Sequence, residues 1–434
     1  MGYPRVLVVS NNCFSDTNSN GRTLGNFFIN WDKNCLAQFY IKAEVPNSNV
    51  CKKFFRVTDY EILNGVLRFK PYGRVIKKEE IVLGTNDTNT EIGLEKKINS
   101  SKVKKMTSMQ TFRELLWYTN KWETKQLYNW IDDFQPEVIL FQAGDSAFMY
   151  DIARKLSIKY KIPLIIYNSE DYYLKDRKSY SPIYHIQRFL LKRSFEKLME
   201  HSKFVIYLGD LLKDDFGKYF NTPSEAILTA SSITPSPSTK GNSIPPMISY
   251  LGNVGVERWI SIVEVGKALQ KINPNYFVDV YTQNLPEEVK KVFTKENGVR
   301  FKGSIGYNEV VNVMHKSDLL LHVESFSDFI KWDLKHAFST KIADSLSSGT
   351  CLFTYGPEEI ASIRYLKEYD AACVVTDKAS LECTLREIIH NHELKKSIIT
   401  NALKLAKMRH NAETNTKRFE EIIRNSLKET KVAE

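Results

Sequence analysis

Three stretches in the second half of the chain hold residue types that grip a phosphate or a sugar. Ser339-Thr340-Lys341-Ile342-Ala343-Asp344 opens a helix-like segment before Ser348-Gly349. With Ser339 at the N-cap, the hydroxyls of Ser339 and Thr340, the Lys341 ammonium and the free N–H groups of a helix start suit a diphosphate. Asp344, one turn on, can accept hydrogen bonds from a ribose diol. The same residues also read as a plain serine cap with a solvated lysine. Arg258 stands just past the glycine turn Gly252-Asn253-Val254-Gly255, where a guanidinium can clamp a phosphate with two parallel bonds or simply start a helix. Glu324 follows the apolar run Leu319–Val323. A carboxylate there can bind sugar hydroxyls or steady positive charge growing at an anomeric carbon, and its bland alternative is a surface ion pair.

The first half offers a second set. Asn20-Gly21-Arg22 precedes an apolar-periodic segment, Thr23–Trp31, so backbone N–H groups and a guanidinium can meet an anion at a helix start, or the glycine can mark an ordinary turn. Asp145 follows Gly144 after the run Val138–Gln142, and Glu170-Asp171 follow Pro163–Asn168.

These positions follow one rule of placement. Short apolar runs at Arg5–Ser10, Val138–Gln142, Pro163–Asn168 and Phe204–Tyr207 alternate with helical patterns at Ser146–Tyr160 and Ser181–His201, the rhythm of a parallel sheet. The alternation restarts after 234–247, a Pro- and Ser-rich linker, with strands predicted at Ile248–Leu251, Phe277–Tyr281, Val299–Phe301, Leu319–Val323 and Cys351–Tyr355. In such sheets ligands sit beyond the carboxyl ends of the strands, where Asn20-Gly21-Arg22, Asp145, Glu170-Asp171, Arg258 and Glu324 fall, whereas Ser339–Asp344 is singled out as a helix start. Two stretches fit less easily. Leu36 to about Ser108, with basic residues between Lys96 and Lys105, reads as an irregular solvated insertion, and Thr111–Phe134 as one long helix.

The 434 residues exceed what one hydrophobic core sustains, and 42% hydrophobic with 26% charged residues is an ordinary folded composition. No apolar run reaches the roughly 20 residues of a membrane-spanning helix. Met1–Ser10 lacks the apolar block of a secretory signal, so a cytoplasmic location is the expectation. The six cysteines form no C-x-x-C and no zinc-ligand spacing, so no metal site is expected. The net charge of +10 favours an anionic partner. Within 184–203 apolar and basic residues are interleaved in the manner of a helix lying on an anionic membrane surface, or of one that covers a core. No nucleic-acid-binding module is recognisable.

Four stretches together resemble the GT-B glycosyltransferases of the family-4-like group that build bacterial surface polysaccharides: Ser10–Leu24, Tyr250–Arg258, Ser317–Ser325 and Ser339–Gly349. The resemblance implies an α/β chain of two Rossmann-like domains facing across a cleft. An acceptor domain would span 1–233, a nucleotide-sugar domain 248–411, and a helix at 412–434 would cross back to the first domain. It assigns Arg258 and Lys341, with Ser339 and Thr340, to the donor diphosphate, Asp344 to the ribose, Glu324 to the donor sugar and Gly21 to the donor phosphates. Asp145 joins Glu324 as a catalytic candidate, and Asn20, Arg22, Glu170 and Asp171 lie towards the acceptor. Glu324 and Asp344 stand where the family carries a Glu-x7-Glu pair, here 20 residues apart with the charged segment Asp328–His336 between them.

The expected reaction moves a sugar from a nucleoside diphosphate sugar, UDP by resemblance, to a saccharide or lipid-linked saccharide, with retained anomeric configuration and without a metal cofactor. The enzyme would be cytoplasmic and would touch the inner face of the plasma membrane. A nucleotide-sugar epimerase and a non-catalytic partner subunit remain as alternatives on the same architecture.

Overall fold

The computed structural model describes residues 2–16, 19–68, 72–81, 107–235, 244–283 and 285–432. The chain divides into two compact units, Met1–Ile227 with Asn415–Glu434, and Leu228–Thr414. The change of unit comes at Ile227/Leu228. Of the segment 234–247, read from sequence as a linker, residues 236–243 lie outside the described residues.

The strands of the first unit are β1 (Val6–Ser10), β2 (Leu36–Tyr40), β3 (Lys53–Arg56), β4 (Arg74–Val75), β5 (Val138–Gln142), β6 (Leu164–Asn168), β7 (Phe204–Tyr207) and β8 (Ser224–Ala226). Among the described residues they form one sheet in the order β4-β3-β2-β1-β5-β6-β7-β8, parallel throughout except between β3 and β4. Central strand β1 is apolar at nearly every position because both its faces are covered. Leu7 and Val9 enter a core with Phe141, Trp117 and Trp122, whereas Val6 and Val8 enter another with Phe28, Trp31 and Phe419. Its helices are α1 (Ser19–Asn26), α2 (Asp59–Arg68), α3 (Thr107–Tyr118), α4 (Lys125–Phe134), α5 (Ala147–Tyr160), α6 (Pro182–His201) and α7 (Asp210–Gly217).

Three sequence expectations need correction here. The stretch from Leu36 is no irregular insertion up to Ile81, since β2 pairs with β1, β3 pairs with β2, and the two bury Ala37, Phe39, Phe54 and Phe55 completely. Their runs are only five and four residues long, which hid them. The basic segment from Lys96 to Lys105 lies outside the described residues. The single helix expected over Thr111–Phe134 is two helices, α3 and α4. The break falls at Asn120, whose φ of +56° only a few residue types adopt readily, and it lets Trp122 turn into the core. Thr124 then caps α4 by accepting from the Leu127 N–H at 3.2 Å. Finally, Asn20, Gly21 and Arg22 lie inside α1 and not before it.

The second unit carries β9 (Ile248–Leu251), β10 (Val278–Tyr281), β11 (Val299–Gly303), β12 (Leu319–Val323), β13 (Cys351–Tyr355) and β14 (Cys373–Val375), in the parallel order β11-β10-β9-β12-β13-β14. The helices that matter for the site are α8 (Arg258–Ile272), α9 (Tyr307–Lys316), α10 (Asp328–Leu334) and α11 (Lys341–Ser347). Helix α8 lies against the turn before β11 at the closest possible distance. A Cβ on Gly266 would stand 2.3 Å from the Asn297 carbonyl oxygen, and the opposing Gly298 has φ +70°. Neither neighbour is a flexible side chain, so the helix must shift to admit a methyl group. Gly266→Ala is expected to destabilise this unit by about 1–3 kcal/mol, read as a lowered urea midpoint at unchanged slope.

Candidate active site

In the second sheet β9 is flanked by β10 on one side and β12 on the other, so the strand order reverses between β9 and β12. The loops leaving those two strands therefore diverge and open a crevice at their carboxyl ends. The loop after β9 is tightly organised. Tyr250 donates its hydroxyl to the Asn253 carbonyl at 2.6 Å, and Asn253 Oδ1 accepts from the Gly255 N–H at 2.7 Å. Val256 and Glu257 then adopt φ of +48° and +60°, a region that costs an L-residue about 1–2 kcal/mol and is rarer still for a β-branched one. Glu257 Oε2 accepts from Ser325 Oγ at 3.0 Å, which ties this strained turn to the loop after β12.

The turn delivers Arg258 to Glu324. The guanidinium donates Nε to Oε2 at 2.9 Å and Nη2 to Oε1 at 3.1 Å, a two-pronged pair with the carboxylate 2% exposed. Burial pushes the Glu324 carboxyl above its ordinary value, while Arg258 and Lys341 pull the other way. Lys341, first residue of α11, lays its ammonium against Gly252, where a Cβ would stand 2.1 Å from Nζ. Burial of that end, followed by the Arg258 charge, draws it down to about 8 against the pull of Glu324, although the residue as a whole stays exposed to water on one side. His322, on β12, is pushed down to about 3 by burial first and then by the two cations, so it is neutral. The crevice thus holds two cations against one carboxylate, a surplus of one positive charge fixed beside bare backbone.

The other candidates of this unit take different places. Thr340, not Ser339, is the N-cap of α11. It has helical backbone angles and makes no side-chain cap bond, because Ile342 N–H instead donates to the Ser339 carbonyl at 3.1 Å. Asp344 accepts from Ser231 Oγ at 2.6 Å.

In the first unit the order reverses between β1 and β5, and the loops after them meet, a Cβ on Gly144 standing 2.6 Å from Asn11 Nδ2. Asp145 is exposed at this edge and accepts from Ser146 Oγ at 3.2 Å. Gly21 is pressed against the loop after β1, with a Cβ 2.5 Å from the Cys13 carbonyl oxygen, so its glycine is required by packing. Arg22 is exposed on α1, and the Asn20 side chain lies outside the described residues. After β6, Glu170 is exposed, whereas buried Asp171 spends Oδ1 on the Tyr173 and Leu174 N–H groups at 3.1 and 2.7 Å.

Sequence reasoning missed the residues that hold these loops. Fully buried Gln38 on β2 accepts from the Phe14 N–H at 2.9 Å and donates to Ser10 Oγ at 2.8 Å and the Asn12 carbonyl at 3.1 Å, which fixes the loop after β1. Glu114 on α3 caps α5 from outside by accepting from the Ala147 and Phe148 N–H groups at 2.9 and 3.0 Å, while Arg113 reaches Ser146 Oγ at 2.6 Å. Burial raises Glu114 to about 7, those two N–H groups and Arg113 acting against it. A lone polar residue inside the run Leu36–Tyr40 was a readable signal for Gln38. Glu114 had none, since its partners lie more than 30 residues away.

Residues 267–422 match a protein-family model described as glycosyl transferase-like, a span that includes Glu324, Lys341 and Asp344. The fold is shared with solved glycosyltransferases. Sucrose-phosphate synthase from Thermosynechococcus elongatus superposes with a TM-score of 0.59 at 10% identity, covering 97% of this chain and 98% of that one. Anabaena Alr3699/HepE in complex with UDP and glucose gives 0.59 at 11% identity, with 97% and 100% covered. WaaG, a glycosyltransferase involved in lipopolysaccharide biosynthesis, gives 0.53 at 12%, with 96% and 99% covered. No curated protein matches the chain.

Removing one member of a buried ion pair strands the other. Arg258→Met is expected to cost about 3–5 kcal/mol in urea unfolding, and a further Glu324→Leu on the same chain to restore most of that loss.

Proposed function

We propose that this chain, a glycosyltransferase of the GT-B fold, moves a sugar from a UDP-sugar to a hydroxyl of a saccharide or lipid-linked saccharide in bacterial surface-polysaccharide synthesis, retaining the anomeric configuration. The observation that carries the reading is the surplus cation at the β9/β12 crevice, where Lys341 and Arg258 converge beside bare backbone at Gly252. A diphosphate supplies the missing negative charge. UDP is taken from the likeness to HepE, whose structure was determined with UDP and glucose.

In this reading breaking the bond between sugar and diphosphate leaves negative charge on the departing phosphate oxygen. Lys341 and the outward edge of the Arg258 guanidinium meet that charge, in the part a metal ion plays in other transferases. They are in place before the reaction, so little reorganisation is needed as charge develops. Glu324 acts first through Arg258, fixing the plane of the guanidinium, and its buried carboxylate just past β12 is the group this reading assigns to the donor sugar. Asp344 takes the ribose diol by exchanging or sharing its bond with Ser231 Oγ. Retention in a single displacement requires the hydroxyl to attack on the face the diphosphate leaves, so its proton passes to the departing phosphate oxygen; in this reading the exposed Asp145, with Glu170 and Arg22, orients the incoming hydroxyl.

The Lys341 ammonium sets the pH dependence of nucleotide binding. With its pKa drawn down to about 8 in the free protein, it is charged below that pH and loses its proton above it. UDP affinity measured by titration calorimetry is therefore expected to hold between pH 7 and 7.5 and to fall as pH rises through about 8. Lys341→Arg should move that fall to higher pH, and Lys341→Met should weaken binding by about 10- to 100-fold at pH 7. Equal affinity in the methionine variant, or release of an epimerised donor without any acceptor, would remove the reading.

A further inference from the structure

Helix α6 buries Leu191, Phe195, Leu198 and Met199 in the core of the first unit, yet its opposite face is also apolar at one end. Ile183, Ile186 and Phe189 follow one another at three-residue spacing, and the last two are 53% and 61% exposed. Tyr180, just before the helix, is fully exposed. The adjoining α3, bonded to α6 through Tyr118 and Ser194 at 3.4 Å, leaves Phe112 and Leu115 exposed as well. Nothing in a water-facing role requires five large apolar side chains on two neighbouring helices with an exposed tyrosine beside them.

Basic residues bracket these apolar ones. Arg177 and Lys178 precede the stripe, and Arg193 and Lys197 continue the outer face of α6 beyond it. All four are exposed and have no carboxylate partner among the described residues. The nearby Asp176 is already met by Arg188 and Lys192. An apolar centre between unpaired cations is complementary to one surface above others, a bilayer whose headgroups are anionic and whose acyl region begins just beneath them. A soluble acidic protein would satisfy the cations but leave Ile186 and Phe189 without a matching depth of hydrocarbon.

We infer that the outer face of α6, with Tyr180 and the exposed apolar residues of α3, docks the protein on an anionic membrane surface. The apolar half is the N-terminal one, nearest the loop that leaves β6 and carries Glu170 and Asp171. Docking would therefore bring the carboxyl edge of the first sheet close to the headgroups. The surface rests on its own exposed residues and does not depend on the transfer reading.

The full chain is sedimented with vesicles of phosphatidylcholine and with vesicles of equal parts phosphatidylcholine and phosphatidylglycerol, and UDP binding is measured on the same preparations. Wild-type protein should partition to the phosphatidylglycerol vesicles and not to phosphatidylcholine alone, and raised salt should weaken it. Ile186→Asp with Phe189→Asp, and separately Arg193→Glu with Lys197→Glu, should each lower partitioning roughly tenfold or more while UDP affinity stays at the wild-type value. No partitioning of the wild type to the anionic vesicles, or variants that partition as the wild type does, would overturn the inference. Loss of UDP binding with vesicle binding intact would instead tell against the transfer reading alone.

Discussion

The second unit depends on an ion pair that water does not screen. Taking the Arg258 and Glu324 charges out of solvent costs several kcal/mol for each, and only good geometry returns it. The two bonds at 2.9 and 3.1 Å supply that geometry. They exist because a strained turn at Val256–Glu257 and the end of β12 bring the two side chains together from segments 66 residues apart. Lys341 enters the same crevice as a charge without a carboxylate within ion-pair distance among the described residues, and His322, held neutral, leaves the surplus unchanged. This imbalance is the electrostatic ground of the proposed diphosphate binding, and the fixed pair would give that binding its direction.

Both sheets use the same geometric device at different chemistry. At β9/β12 the diverging loops hold cations beside glycine backbone; at β1/β5 Gly144 meets the Asn11 side chain and the next residue, Asp145, is exposed. The supporting residues differ accordingly. The second unit relies on strained backbone and an ion pair, whereas the first relies on neutral or helix-directed bonds from Gln38 and Glu114.

Much of this was legible in the sequence. Doubly covered strands give continuous apolar runs, so β1, β5, β9, β12 and β13 were readable to within a residue; the rule of carboxyl ends then singled out Arg258 and Glu324, and the pattern of a helix start singled out Lys341. What escaped had a physical reason in each case. Short strands β2 and β3 carry too few residues for a period to show. Trp122 reads as one more apolar residue of a helix unless the backbone reversal at Asn120 is known. The pairing of Arg258 with Glu324 could not be read either, because each alone is as good a ligand for phosphate or sugar as for the other. Ser339 looked like the cap of α11 because serine is a strong cap, but the chain passes through it into Thr340 with helical angles.

The first unit is discontinuous in the chain, and that has a bearing on how the protein is made. Phe419, in the final helix (Ala412–Val432), stacks on Phe27 at 4.8 Å and meets Phe28 edge-on at 5.1 Å, beside Trp31. During synthesis those three aromatic rings emerge nearly 400 residues before the ring that covers them. A ribosome adding about 5–20 residues per second leaves that slot open for tens of seconds, while Leu228–Thr414 emerges and can fold as a closed body. The nascent chain therefore spends most of its elongation with a greasy notch uncovered, the kind of surface that holding chaperones grasp.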